Sequence, residues 1–155
     1  MPIPQQSIKQ RIIERAILLL APLVGEEGIR RIARTRTLFL IEAIKPAIHA
    51  VAGPEIVIEE DDRGYRCEFA LFFKIMVSEA RELEDAVDRL CWKIQEKIEA
   101  DPQLNGTDPA TPLASKVTYD GEQPFGEDIL KPEGGTVIAY VIEYRRYRAE
   151  PKSTY

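Results

Sequence analysis

Apolar positions recur at spacings of three and four from residue 8 onward. Ile8, Ile12, Ala16, Leu19, Leu20 and Leu23 share one helical face, and Lys9, Gln10, Arg11, Glu14 and Arg15 take the other. Ser7 supplies an N-cap oxygen just before the pattern, while Pro22 and Gly25 predict an end near Val24. Between Ile29 and Ile44 the pattern is mixed. Ile29, Ile32, Arg36, Leu40 and Ile44 fit a helix, whereas Thr35, Thr37, Leu38, Phe39 and Ile41 favour extended chain. The reading adopted is a loop followed by a short strand. Pro46 to Val51 then reads as a strand, with a turn at Gly53-Pro54.

The middle of the chain is patterned more strongly. Glu55 to Glu59 predicts a strand, and Glu60-Asp61-Asp62-Arg63-Gly64 a polar turn with Gly64 in a left-handed conformation. A long alternation follows. Tyr65, Cys67, Phe69, Leu71, Phe73, Ile75 and Val77 share one face, and Arg66, Glu68, Ala70, Phe72, Lys74 and Met76 the other. Ser78 is placed to cap a second helix, with Glu79 and Glu82 favoured by its dipole. Leu83, Val87, Leu90, Cys91, Ile94 and Ile98 form its inner stripe, and Asp85 and Arg89 a pair on its outer side. Asp101-Pro102 stops it.

The region from 102 to 115 carries Pro102, Pro109, Pro112 and Gly106 and reads as a loop. Lys116 to Tyr119 reads as a strand, Asp120 to Gly135 as a polar excursion, and Thr136 to Tyr147 as the last strand. The expected fold class is α+β: an antiparallel or mixed sheet of four to five strands with two helices packed on one face. The 155 residues suit one domain, with 1–6 and 150–155 as flexible tails.

Composition narrows the chemistry. Leu, Ile, Val and Phe make up 43 of the residues, enough for a sizeable core. Lys and Arg number 21 against 26 Asp and Glu, a net charge of −5, which argues against a general nucleic-acid binder. No apolar run reaches the roughly 18 residues of a membrane span, and the Ala16 to Val24 run contains Pro22 and lacks a signal-peptide cleavage site. The two cysteines, Cys67 and Cys91, read as reduced and buried, as in a cytosolic protein, although the sequence leaves a bridge between them open. With His49 they make three soft ligands, too few and too far apart for structural zinc. His49 sits in an apolar strand and reads as a polar position on its outer face. No glycine-rich phosphate loop is present. The reading assigns no catalytic residue, cofactor or metal.

Three charged constellations remain. Glu59-Glu60-Asp61-Asp62 is the densest carboxylate group. A metal-dependent nuclease would use carboxylates such as Glu59, Asp61 or Asp120, but consecutive acids at a hairpin tip point different ways and read as a solvated turn. Arg30, Arg31, Arg34 and Arg36 form a basic run suited to an acidic neighbour or to phosphate. Residues 79–101 hold eight acidic and four basic residues, so patches of opposite sign coexist in one chain, as head-to-tail self-association requires. Tyr144-Arg145-Arg146-Tyr147-Arg148 interleaves aromatics with cations, as single-strand binders do; Tyr144 continues the inward row, leaving Arg145, Arg146 and Arg148 as candidate partner contacts.

In layout the chain resembles the tail-terminator, or tail-completion, family of tailed bacteriophages and prophages. The resemblance runs through residues 8–151. It is carried by Pro46-Ala47-Ile48-His49-Ala50-Val51 before a hairpin and the alternating strand Tyr65 to Val77. It continues in the helix Ala80 to Ala100 running into Asp101-Pro102-Gln103-Leu104-Asn105-Gly106, and in the closing Tyr144-Arg145-Arg146-Tyr147-Arg148-Ala149-Glu150-Pro151. The resemblance implies an α+β subunit that forms a hexameric ring, caps the tail tube and offers a surface to the head connector, without catalysis. The implied partners are further copies of the chain, the tail tube protein and a head-completion or connector protein, with no membrane and no specific nucleic-acid sequence. The implied location is the head-proximal end of the virion tail, after assembly in the bacterial cytoplasm. Two other classes stay open from the residues alone: a small metal-dependent nuclease and a small-molecule-binding α+β domain.

Overall fold

A computed structural model describes residues 6–34, 46–77, 83–104, 113–125 and 134–148. Ser7 caps helix α1 (Ile8–Leu20) in a reciprocal box: its side chain accepts from the Gln10 amide at 3.2 Å while Gln10 accepts from the Ser7 amide at 2.9 Å. The helix ends at Leu20 rather than near Val24. Pro22 lacks the amide that would continue the ladder, and the chain restarts as the single turn α2 (Leu23–Glu26). Lys9 also departs from the sequence reading. It is fully buried, donating from Nζ to the Gly53 carbonyl at 2.7 Å and lying 5.2 Å from the Phe69 ring centre.

The strands are β1 (Arg31–Arg34), β2 (Ala47–Ala52), β3 (Ile56–Glu60), β4 (Gly64–Val77), β5 (Lys116–Phe125) and β6 (Gly134–Tyr147), with helix α3 (Leu83–Glu99) between β4 and β5. They form one mixed six-stranded sheet in the order β1-β2-β4-β6-β5, with β3 also on β4, so the class is α+β and the four-to-five-strand expectation falls short. The count rises because β1 is a separate strand, parallel to β2 with Arg31 beside Ala47. It lies within the stretch from Ile29 to Ile44 where a loop and then a short strand were expected; residues 35–45 lie outside the described residues.

β4 organises the sheet. Its fourteen residues pair with β6 along their full length, and on the other side with β2 through residues 71–76 and β3 through 65–68. β2 and β3 therefore follow one line along β4, broken at Gly53-Pro54-Glu55. The alternation in β4 holds: Cys67, Phe69, Leu71, Phe73, Ile75 and Val77 are buried together under α1 and α3. Diagonal cross-strand pairs fill that face edge to face, Phe69 with Tyr144 at 5.9 Å and Phe73 with Tyr140 at 6.1 Å. Near Ala47, Lys74 and Met76 the opposite face is buried as well.

Helix α3 places Leu90, Cys91, Ile94 and Ile98 in the core as its stripe predicts. The Ser78 cap lies outside the described residues. The expected Asp85–Arg89 pair gives way to a longer-range one: the Arg89 fork donates to both oxygens of Glu27, at 2.8 and 3.1 Å, and ties α3 to the end of α2. After α3, Asp101 accepts from Arg15 at 3.0 Å and Leu104 is fully buried in a left-handed conformation, φ 50°. The Asp and Leu of the Asp101-to-Gly106 motif thus close the α3 end against α1. Residues 105–112 lie outside the described residues.

β5 continues to Phe125, past the Asp120 where a polar excursion was expected. A bulge between Tyr119 and Glu122 breaks the alternation, with Gly121 at φ 99°, which glycine adopts without strain. Gly64 has a positive φ, 159°, which residues with a side chain rarely adopt, and it is also needed for space: a Cβ there would lie 2.2 Å from the Arg146 carbonyl oxygen.

Candidate interaction surface

The acidic run and the tyrosine-arginine run, more than 80 residues apart in the chain, meet at one end of the sheet. The register of β4 with β6 sets this up. Gly64 lies beside Tyr147, Tyr65 beside Arg146 and Arg66 beside Arg145, so the β3–β4 hairpin tip overlies the last residues of β6. Asp61 folds the tip into an Asx turn, accepting from the backbone amides of Arg63 at 2.8 Å and Gly64 at 3.0 Å. Its other oxygen accepts from Arg145. These donors, Arg145 first, hold the Asp61 carboxyl down at about 2. Arg148 donates to Glu60 at 2.8 Å and to the Asp61 carbonyl at 3.0 Å, and Arg66 pairs with Glu59 at 3.5 Å.

Beneath this exposed layer lies a buried one. Glu55, in the break between β2 and β3, accepts from Arg146 Nε and Nη2 at 3.2 and 3.3 Å and from the Tyr144 hydroxyl. Only 9% of the Arg146 side chain and 5% of the Glu55 side chain are exposed. The Arg146 guanidinium also stacks 4.5 Å from the Tyr65 ring centre. Burial pushes the Tyr144 hydroxyl well above its ordinary value, and the Glu55 carboxylate adds to it. Lys9 enters the same region from α1. Burial lowers it to about 8, against the opposing pull of Glu55 and with the help of Arg34.

The arginine candidates therefore divide. Arg145 and Arg148 are exposed and already matched by hairpin acids, whereas Arg146 is a buried member of the Glu55 pair. The run at 30–36 divides too, because strand alternation sends Arg31 and Arg34 to opposite faces. Arg34 is in line with Ala50, Phe73 and Ile138, on the helix-covered face near Lys9. Arg31 lies on the other face near His49, whose pKa is lowered by burial first and then by Arg31 and Lys74. Arg30 is exposed, its amide donating to the Pro46 carbonyl at 2.8 Å. Arg36 lies outside the described residues.

The carboxylates considered for a metal are not brought together. Glu59 and Asp61 are each held by an arginine at the hairpin, while Asp120 is in the bulge of β5 at the far edge of the sheet. Among the described residues no three His, Cys, Asp or Glu side chains converge as a metal site would require. Cys67 and Cys91 are free, buried thiols rather than a bridge. Burial pushes both up, Cys91 to about 12 with help from Glu122.

One feature escaped the sequence reading. All five residues of β3 are exposed, including Ile56, Val57 and Ile58. Three apolar β-branched residues in succession on a strand beside a turn were visible as such; that no layer covers them is a matter of topology.

No protein-family model matches the chain, and no curated protein does. Among solved structures, a chain of the virion of a native gene transfer agent (GTA) particle is similar over 90% of this chain and 92% of its own, at 11% identity and a TM-score of 0.47.

Proposed function

We propose that the chain is a structural subunit of a phage-type tail. In this reading it forms a homohexameric ring that caps the tail tube, ends its polymerisation and joins it to the head connector. The observation that carries the reading is the surface at β3: a paired, charge-balanced hairpin that presents an uncovered apolar strand. A surface of that kind suits association with another protein, and it accompanies a layout that resembles the tail-terminator family. The arginines act in scaffolding here. Arg145, Arg146 and Arg148 fix the hairpin on β6, and Arg30 and Arg31 face outward to a neighbour. The role is steric and associative, without a catalytic step: one face of the ring matches the last ring of the tube, and the other gives no template for more tube protein.

The test is to add the purified protein to polymerising tail tube protein and measure tube length by electron microscopy. The expected result is shorter tubes carrying a ring at one end. Tubes of unchanged length without terminal density would contradict the proposal.

A further inference from the structure

The free edges of the sheet lie on two sides. β1 and β3 open along one side and β5 along the other, and among the described residues β1 pairs only with β2 and β5 only with β6. The two outermost strands are level with each other. Residues 31–34 of β1 are in line with 76–73 of β4 through β2, and residues 122–125 of β5 with 73–76 of β4 through β6. Their directions are opposite, since β5 runs with β4 and β1 runs against it. Their charges are opposite too. The β1 edge carries Arg30, Arg31 and Arg34. The other edge carries Asp120 and Glu122, both exposed, and α3 stands over it, with Ile98 and Glu99 lining a small cavity together with Val117 and Tyr119 of β5. Asp88 and Glu99 of that helix are exposed as well.

We infer that β1 of one copy adds to β5 of the next as an antiparallel strand, so that the sheet runs on from subunit to subunit. This deepens the ring reading and rests on it. The two edges are on opposite sides of the sheet, so a copy displaced sideways without inversion brings its β1 to β5, and the same step can repeat around a ring. Level for level, Arg34 falls beside Glu122, Ala33 beside Gln123, Ile32 beside Pro124 and Arg31 beside Phe125. The faces agree. Arg34 and Glu122 both align with Phe73, so the helices of the two copies stay on one side. The peptide directions agree as well. Pro46 turns its carbonyl to β1, accepting from Arg30 at 2.8 Å, and Glu143 turns its carbonyl to β5, accepting from Ser115 at 2.8 Å. Alternation along β2 and β6 then leaves the peptide groups of Ile32 and Arg34 pointing out of the β1 edge, and those of Glu122 and Pro124 out of the β5 edge. Arg34 and Glu122 can exchange backbone hydrogen bonds in both directions, and the Ile32 amide can donate to the Pro124 carbonyl. Pro124 has no amide to return, so the added ladder ends there.

The experiment uses two variants of the full chain, Ala33→Cys and Gln123→Cys, mixed in equal amounts and mildly oxidised. The two positions form a non-hydrogen-bonded pair of the added ladder, with Cα atoms about 4.5 Å apart, within reach of a disulfide. Cys67 and Cys91 are buried and contribute little background. The expected product is a disulfide-linked dimer in the mixture and in neither variant alone. Rings that form in the mixture without that cross-link overturn the inference and leave the ring reading standing. Cross-linking in either variant alone overturns it as well, since like edges then meet. A native chain that stays monomeric overturns the ring reading, and the inference with it. A charge variant covers the case in which a new cysteine disturbs β1 or β5. Glu122→Arg reverses an exposed charge opposite Arg34. It should weaken self-association at least about tenfold in sedimentation velocity with an unchanged circular-dichroism spectrum; undiminished association overturns the inference.

Discussion

Arg146 and Glu55 form a buried ion pair that binds the last strand of the sheet to the break between β2 and β3. The Tyr144 hydroxyl shares the same carboxylate, so one acid anchors two residues of β6. The hairpin that presents β3 is held from below by this contact and from above by Arg145 and Arg148.

Glu55→Ala should therefore cost more than a surface change. It leaves a buried guanidinium without its carboxylate and a buried tyrosine hydroxyl without its acceptor. The expected loss is about 3–5 kcal/mol in urea denaturation. Glu55→Ala with Arg146→Met should lose less than Glu55→Ala alone, because the stranded charge is gone. A loss below about 1 kcal/mol for Glu55→Ala would show that the pair is not desolvated.

Gly64→Ala should open the hairpin tip. Its Cβ would meet the backbone oxygen of Arg146, which cannot swing aside as a side-chain end can. The strands must part there, at a cost of roughly 1–3 kcal/mol. Amide exchange at residues 61–66 should accelerate most, and exchange like that of the native chain would contradict the close approach of β4 and β6.

These contacts show what the sequence could and could not convey. The Ser7 cap, the alternation of β4 and the α3 stripe were legible because each is a local pattern with its own period. The Glu55–Arg146 pair was not, since it joins residues 91 apart through a register that only the assembled sheet defines. β1 was legible only as a short strand somewhere between Ile29 and Ile44, because a four-residue strand has little pattern of its own and owes its place to β2. The end of β5 was lost to the bulge at Asp120-Gly121, which interrupts the period of two. Lys9 sat on a polar helical face by spacing, yet its length lets it reach the Gly53 carbonyl through the core.

Lys9 gives a pH prediction. Its pKa falls from 10.5 to about 8 on folding. Between those values the unfolded chain binds more protons, so its contribution to stability rises as pH increases through that window. Measured as wild type minus Lys9→Met, the gain from pH 8 to 10.5 should be on the order of 2–3 kcal/mol. The subtraction matters because Cys91 works the other way: its raised pKa destabilises the fold as pH climbs above the ordinary thiol value. A flat difference curve would mean that Lys9 is solvated in the native state.

Leu90→Asp should unfold the protein. Leu90 is buried in the inner stripe of α3, and an aspartate there would set a charge into the hydrophobic core, at an expected cost above about 4 kcal/mol. A soluble variant with an unchanged melting temperature would show that α3 packs on another face.

The most direct measurement of the central claim is negative-stain electron microscopy of the purified chain, with its mass in solution determined in parallel. The account predicts closed rings of six copies. A particle that stays monomeric at every concentration, or open fibres in place of rings, would contradict it.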